Sequence, residues 1–188
     1  MIFLNLTKSA TRQHIYNSLL GLMDDNDKST MDYLVGLADI PDTHHHGVVE
    51  VLETIKSQEI PERIKDDMYA VYTILGEAEA HVHGVSFEET HFHEVGNGKS
   101  ILNALRICTA FHVLREKGEA DYIMATPVQT GEGTVDCAHG TMDIPAPATA
   151  DILITHGIPT EFELLPGELC TPTSAAIIAH FVDAYSVS

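Results

Sequence analysis

Two histidines spaced two residues apart, in the segment "THFHEVGNGKS", carry the strongest indication of chemistry in this chain. In an extended segment, residues two apart point to the same face, so His91 and His93 are expected to project together while Phe92 packs inward. Imidazole nitrogens suit nickel, zinc, copper and iron, and Glu94 can either ligate an ion or orient a ring. The segment therefore indicates a divalent-metal site, with a purely structural HxH pair as the alternative.

A second HxH pair, His81 and His83, closes the segment "EAEAHVHG" at the end of a predicted helix. Residues i and i+2 do not share a helix face, and each histidine has a glutamate four residues before it, the spacing of an ordinary surface contact. A protonated histidine there also gains from the helix dipole. Taken alone, His81 and His83 are interpreted as surface residues in contact with glutamates. Taken together with His91 and His93, they are further candidate metal ligands. The run "THHHG" is predicted to be a solvated loop.

The turn "VGNGKS" precedes another predicted helix and resembles an anion-binding turn. Glycines allow close backbone approach, a helix N-terminus offers free N–H groups, and Lys99 and Ser100 can contact a phosphate. The spacing is not that of a P-loop. No Ser/His/Asp or Cys/His triad follows from spacing alone, so the catalytic residues stay unknown.

The charge balance limits the partners, because 28 acidic against 10 basic residues give a formal net charge of −18. Such a charge repels nucleic acid and anionic membranes, and twelve histidines attract divalent cations even without a built site. After Lys117 the chain has no Lys or Arg. No apolar run of membrane-spanning length and no signal peptide is evident, so we expect a cytoplasmic protein. The three cysteines form no CxxC pair, and Cys108 is expected in the core.

The elements that must position these residues are mostly helical up to residue 118. A short buried strand is predicted at 2–6, followed by a helix from Thr11 to Asp25 that buries Ile15, Leu19 and Leu22. Further helices are predicted from Ser29 to Ala38, twice after Gly47, and before Gly118, with a single helical turn at Ser86 to Thr90. The second helix after Gly47 begins at Pro61, ends near Gly84, and carries a buried stripe of Ile64, Met68, Val71, Leu75, Ala78 and Val82.

Strand-like and loop segments alternate after residue 118. Strands are predicted near 121–126, 133–137 and 160–165, and helices start at Pro147 and Pro172, with Thr171 as an N-cap. We therefore predict an α/β or α+β fold in one compact domain over 1–188, helix-rich in 1–118 and mixed α/β in 119–188.

Four blocks occurring together identify a family resemblance. "HHHGVVEVLETI", "PERIKDDMYAVYTILGEAEAHVHGVSFEETHFHEVG", "GEGTVDCAHGTMDIPAPATADIL" and "GELCTPTSAA" resemble the LarC family, in its order and over nearly the whole chain. These proteins are nickel-inserting cyclometallases that load nickel into a pyridinium bis-thiocarboxylate mononucleotide. The resemblance implies a LarC N-terminal-type domain, nickel (with zinc or another divalent cation as alternatives), and a nucleotide-derived cofactor precursor as partner.

The chain departs from the family pattern in two loops. Where the family opens with a turn of the form DCFSGISGDM, Asn5 and Gln13 stand in place of acids. After HFHEVG the family usually carries an Ala and two Asp residues, where this chain has Asn97, Lys99 and Asn103. Four carboxylates are thereby lost. The family's C-terminal region, associated with cytidine triphosphate use, is also not found within these 188 residues.

Three hypotheses follow. The first is a LarC-like nickel-insertion or nickel-delivery protein in cofactor biosynthesis, which needs another chain or domain for any nucleotide-driven step. The second is a degenerate paralogue that acts as a binding or assembly subunit. The third is a metal-dependent hydrolase. A homo-oligomer or a LarC-type partner chain is compatible with the first two.

Overall fold

The computed structural model describes residues 1–42, 47–93, 95–137 and 140–186, and it has the mixed helix and strand content that was predicted. The helices are α1 (Arg12–Leu20), α2 (Asp25–Gly36), α3 (Val48–Lys56), α4 (Glu62–His83), α5 (Gly98–Glu116), α6 (Pro147–Thr155) and α7 (Pro172–Phe181), with a 3-10 turn at Phe87–Glu89. The strands are β1 (Ile2–Leu4), β2 (Ile123–Ala125), β3 (Gly131–Glu132), β4 (Thr134–Cys137), β5 (Gly140–Asp143), β6 (Gly167–Glu168) and β7 (Ala184–Tyr185). Within these described ranges, no helix is long and apolar enough to cross a membrane.

A parallel sheet of order β1–β2–β7 joins the two halves of the chain. Ile2 pairs with Ile123, and Met124 pairs with Ala184. The alternation of buried and exposed side chains along β1 confirms the predicted N-terminal strand over Ile2–Leu4, two residues shorter than the predicted range of 2–6. Because strands from the start, middle and end of the chain pair here, the helix-rich and mixed segments share one core of buried apolar side chains. The assignment of that core to one LarC-type domain stays a prediction.

Helix α4 carries the predicted stripe along most of its length. Ile64, Met68, Val71, Leu75 and Ala78 are buried. Val82 is 40% exposed, so the stripe was wrong at its last position, where the helix passes beyond the core and borders a cavity. The helix ends at Gly84 with a φ of 65°, the left-handed C-terminal conformation that favours glycine.

The segment from 11 to 37 was predicted with wrong boundaries. Helix α1 ends at Leu20, and Leu22 is 47% exposed instead of buried. The reason is local capping: Asp24 accepts a hydrogen bond from the Asp27 backbone N–H, and the Asp27 side chain accepts one from the Asp24 N–H. This capping box starts α2 at Asp25, four residues before the predicted start at Ser29.

The strand predicted at 160–165 is also wrong, and a buried side-chain amide explains why. Thr160 makes only an isolated bridge, to Val128. Gln129 is buried; its Nε2 donates to the Glu163 carbonyl at 2.9 Å, and its Oε1 accepts from the Leu165 N–H at 3.4 Å. Backbone groups that would have paired with a strand are therefore satisfied by a side chain, and the segment stays irregular.

A buried ion cluster ties three helices together. Asp67 on α4 accepts from Arg115 Nη1 on α5 at 2.6 Å and lies 2.7 Å from His180 Nε2 on α7. The Arg115 guanidinium also lies over the Phe181 ring, 4.9 Å from its centroid. Cys108 is fully buried in this core, as predicted. The cluster holds α7, from the mixed segment, against the helices of the first half.

Candidate functional site

A cavity of about 620 Å³ opens beside the C-terminal end of α4. Its lining comes from the last turn of α4, the loop before α5, the first turns of α1, α5, α6 and α7, the β4–β5 hairpin, and β6. Residues from both halves of the chain therefore meet here, and most of the motifs singled out in the sequence contribute to the lining.

One histidine from each HxH pair faces the cavity. The His83 and His93 rings lie edge to face, with centroids 5.8 Å apart, and both line the cavity. Glu79, one turn before His83, also lines it, and its Oε2 lies 3.4 Å from His83 Nε2. Two imidazoles and a carboxylate are suitable ligands for a borderline divalent ion. Among the residues that the structure describes, no group of three His, Cys, Asp or Glu side chains is arranged to hold a metal. Glu94 lies outside the described residues.

The position of His93 is set by the residues on either side of it. Phe92 is buried, with its ring edge-on to Tyr72 at a centroid distance of 5.9 Å. The Tyr72 hydroxyl donates to the Val95 carbonyl at 3.0 Å. Burial raises the pKa of Tyr72 far above its usual value, so this phenol remains a donor. The loop is thus anchored to α4 before and after His93.

The other histidine of each pair contacts protein groups instead. His91 Nδ1 lies 2.7 Å from the Glu89 carbonyl oxygen, and His81 Nδ1 lies 3.2 Å from Asp151 Oδ2 on α6. Neither residue lines the cavity. For His81 the cause is the helix period, which separates i and i+2. For His91 it is that the segment is not a regular strand and makes only an isolated bridge, to Gly47.

Several helices begin at the cavity. Asn97 caps α5 by accepting from the Ser100 N–H at 2.9 Å, and Thr171 caps α7 by accepting from the Ser174 N–H at 3.3 Å, which confirms the N-cap predicted there. Helix α6 begins at Pro147, as predicted. First-turn N–H groups and aligned peptide dipoles favour negative charge, so this side of the cavity can accept an anion.

The residues predicted to contact a phosphate are divided by the structure. Ser100 lines the cavity, whereas Lys99 is exposed and does not. A Cβ on Gly98 would lie 2.5 Å from the Pro41 carbonyl oxygen, so this glycine is required by chain packing. Among the described residues that line the cavity, Arg12, at the first position of α1, is the one Arg or Lys.

Three further contributors were not predicted as site residues: Arg12, Glu79 and Glu168. Glu168 lies on β6, beside the buried Cys170. Burial raises the pKa of the Cys170 thiol to about 12, with the Glu168 carboxylate adding to the effect, so this thiol is protonated at neutral pH. The block "GELCTPT" supplies Glu168 and the α7 cap, and it was the sequence pattern from which this part of the cavity lining could have been predicted.

The family model described as nickel insertion protein matches residues 7–188. The pyridinium-3,5-bisthiocarboxylic acid mononucleotide nickel insertion protein of Staphylococcus epidermidis is 39% identical over 142 residues, covering 76% of this chain and 34% of that protein. The protein of the same name from Geobacillus kaustophilus is 36% identical over 141 residues, covering 75% of this chain and 33% of that protein.

This chain spans about a third of the length of the curated relatives it matches. No solved structure matches it. The family match extends over nearly all of the chain, including every segment that lines the cavity. The chain therefore belongs to the nickel insertion protein family, which confirms the LarC resemblance.

Proposed function

We propose that this chain binds nickel and a pyridinium mononucleotide in the cavity at the end of α4, and takes part in inserting the metal into that nucleotide. The observation that carries the proposal is the His83–His93 pair, which comes from two separate segments and meets beside several helix N-termini. The names of the Staphylococcus and Geobacillus relatives supply the substrate.

Nickel is a substrate that passes through the site. His83 and His93 offer two imidazole nitrogens, and Glu79 can either ligate the ion or orient the His83 ring through the 3.4 Å contact. A small ligand set held by a loop and a helix end suits transfer, because a saturated cage would retain the ion. Glu94 remains a proposed ligand on the strength of its place in HFHEVG.

The mononucleotide is an anion with a planar ring, and the cavity offers a match for both parts. The first turns of α5 and α7 favour a negatively charged group, with the Arg12 guanidinium nearby. Val82, Val135 and Met142 give an apolar surface against which a ring can pack. The volume of about 620 Å³ falls within the usual range for small-molecule sites, roughly 300–1,000 Å³.

Nickel titration by calorimetry tests the metal half of the proposal. We expect one saturable nickel site in the unchanged protein, and a loss of roughly hundredfold or more in affinity when His83→Ala and His93→Ala are combined. The matched control is the pair His81→Ala and His91→Ala, which also removes one histidine from each of the two motifs, but outside the cavity. That control is expected to bind nickel normally.

Two outcomes would overturn this assignment. Equal loss in both double variants would mean that nickel is collected by histidine-rich surface in general. Weak, non-saturating uptake by the unchanged protein would favour the assembly-subunit alternative, which the lack of a three-ligand group among the described residues also favours. The hydrolase alternative gains no support from the described residues, because a catalytic zinc needs three protein ligands and these residues form no such group.

A further inference from the structure

A second, smaller groove of about 160 Å³ lies between α1 and α5. Its lining consists of Arg12, Gln13 and Tyr16 from α1 and Asn103, Arg106 and Ile107 from α5. Arg12 and Tyr16 are four residues apart on one helix, and Asn103 lies three residues before Arg106 on the other, so each set shares a helix face. Five polar side chains from two packed helices therefore converge on one small space.

Two arginines, Arg12 and Arg106, line the groove without acidic partners among the described residues. No carboxylate of a described residue lies within 4.0 Å of Arg12 or Arg106, whereas Arg115, on the same helix as Arg106, is paired with Asp67. The chain has 28 acidic and 10 basic residues, so most of its arginines would be expected to lie beside a carboxylate. Two arginines without one in the same groove are therefore unusual. Arg12 is half-buried and Arg106 is exposed, and two positive side chains that line one groove favour an anion between them.

The neutral groups around the arginines add hydrogen-bonding capacity. Gln13 Nε2 donates to Asn17 Oδ1 at 2.8 Å, so one amide hydrogen of this side chain is used within α1. Among the described residues, the Tyr16 hydroxyl finds one acceptor, the weak thioether Met31 Sδ at 3.9 Å. Burial raises the pKa of Tyr16, Arg106 lowers it and Asp32 raises it; the net shift is upward, so the phenol keeps its proton.

We propose that the α1–α5 groove is an oxyanion site of the phosphate class, in which the Arg12 and Arg106 guanidiniums hold the anion and Tyr16 donates a further hydrogen bond. Guanidinium forks match tetrahedral oxyanions geometrically and form the stronger, charge-assisted class of hydrogen bond. Arg12 lines both this groove and the larger cavity. The anion is therefore either free phosphate or the phosphate group of a nucleotide whose ring lies in the larger cavity.

Calorimetric titration of the whole chain with two probes tests this site: inorganic phosphate, and nicotinic acid mononucleotide as a pyridinium nucleotide. The test variant is Arg106→Gln, which keeps the aliphatic stem and touches only the smaller groove. The matched control is Arg63→Gln, an exposed arginine on α4 that lines neither cavity. Circular dichroism of both variants verifies that they fold.

The proposal predicts that Arg106→Gln weakens at least one probe by about tenfold or more while Arg63→Gln leaves both unchanged. Loss of phosphate binding alone identifies a free-anion site, and loss of mononucleotide binding identifies the groove as the nucleotide's phosphate subsite. If neither probe depends on Arg106, or if Arg63→Gln weakens the same probe equally, the groove is not an anion site.

The anion groove and the nickel site can be tested independently. Arg106 does not line the larger cavity, so Arg106→Gln is expected to keep the nickel affinity of the unchanged protein. Conversely, the His83→Ala and His93→Ala double variant is expected to keep phosphate binding. Failure of either proposal therefore appears in a different titration.

Discussion

The two walls of the larger cavity are built from opposite chemistry. The wall from residues before 118 carries ionisable side chains, namely Arg12, Glu79, His83 and His93. The facing wall comes from a stretch that contains no Lys or Arg, and it offers apolar side chains, one carboxylate, Glu168, and the starts of α6 and α7. Helix N-termini, which favour negative charge, occur on both walls, and among the described lining residues the first wall adds the basic side chain of Arg12.

The walls also differ in how they are held. The first rests on long helices whose buried faces and Asp67 ion cluster fix them in the core. The second rests on short strands and turns, where Gly131 and Gly167 adopt positive φ angles and the Gln129 amide satisfies irregular backbone. Long helices therefore hold most of the first wall, apart from the loop that carries His93, whereas the second wall combines short strands and turns with the starts of α6 and α7. Each wall has its own point of weakness.

The largest effect is expected from Gly131→Ala in the second wall. A Cβ at this position would overlap the Gly167 carbonyl oxygen across the β3–β6 pair, and φ is +82°. We expect a loss of more than about 4 kcal/mol in the free energy of unfolding, measured by urea denaturation. Gly133→Ala is the control: φ is +105° but the space is open, so only backbone strain of about 2 kcal/mol is expected. Equal losses would show that the β3–β6 contact is unimportant.

Asp67→Ala tests the cluster that joins α4 and α5, which support the first wall, to α7, which supports the second. It leaves Arg115 and His180 without their shared carboxylate in a largely buried setting. Removing one partner of such a cluster is expected to lower the free energy of unfolding by about 3 kcal/mol. The neighbouring exposed Asp66→Ala should change it little. A similar, small effect of both changes in urea denaturation would mean that packing alone holds α7 against α4 and α5.

The helix caps compare the walls directly. Asn97→Ala on the first wall and Thr171→Ala on the second each remove one acceptor for a first-turn N–H. Each change should cost about 1 kcal/mol in unfolding free energy. If backbone N–H groups bind the nucleotide on the second wall, Thr171→Ala should also weaken nicotinic acid mononucleotide binding in calorimetry. A loss of stability without any change in the affinity for the mononucleotide would show that Thr171 contributes to folding and not to nucleotide binding.

The smallest effect is expected from Cys170→Ala. Cys170 is fully buried and does not line the cavity, and burial raises the pKa of its thiol to about 12, so we expect it to contribute nothing to nickel binding. Nickel affinity should stay within about twofold of the unchanged protein from about pH 6 to pH 9. A nickel affinity that falls in the variant, and falls more as the pH rises, would instead place a thiolate in the site.

Much of the fold was predictable because its signals are local. The stripe from Ile64 to Ala78 and the turn at Gly84 define α4, and proline followed by apolar residues marks the starts of α6 and α7. The local sequence did not show that the segment 160–165, predicted as a strand, is irregular. Its backbone partners are supplied by Gln129, which lies 34 residues before Glu163 and 36 before Leu165, and no local pattern reports such a contact.

For the site, the sequence by itself determined the chemistry: imidazoles in two HxH pairs, an acidic chain that attracts cations, and capped helix starts that favour anions. Only the tertiary structure decided which histidine of each pair faces the cavity. That choice depends on the helix phase at His83 and on the packing of the buried Phe92 against Tyr72, beside which the exposed His93 lines the cavity. The Arg12–Arg106 groove likewise exists only because α1 packs on α5, which brings together residues that are far apart in the sequence.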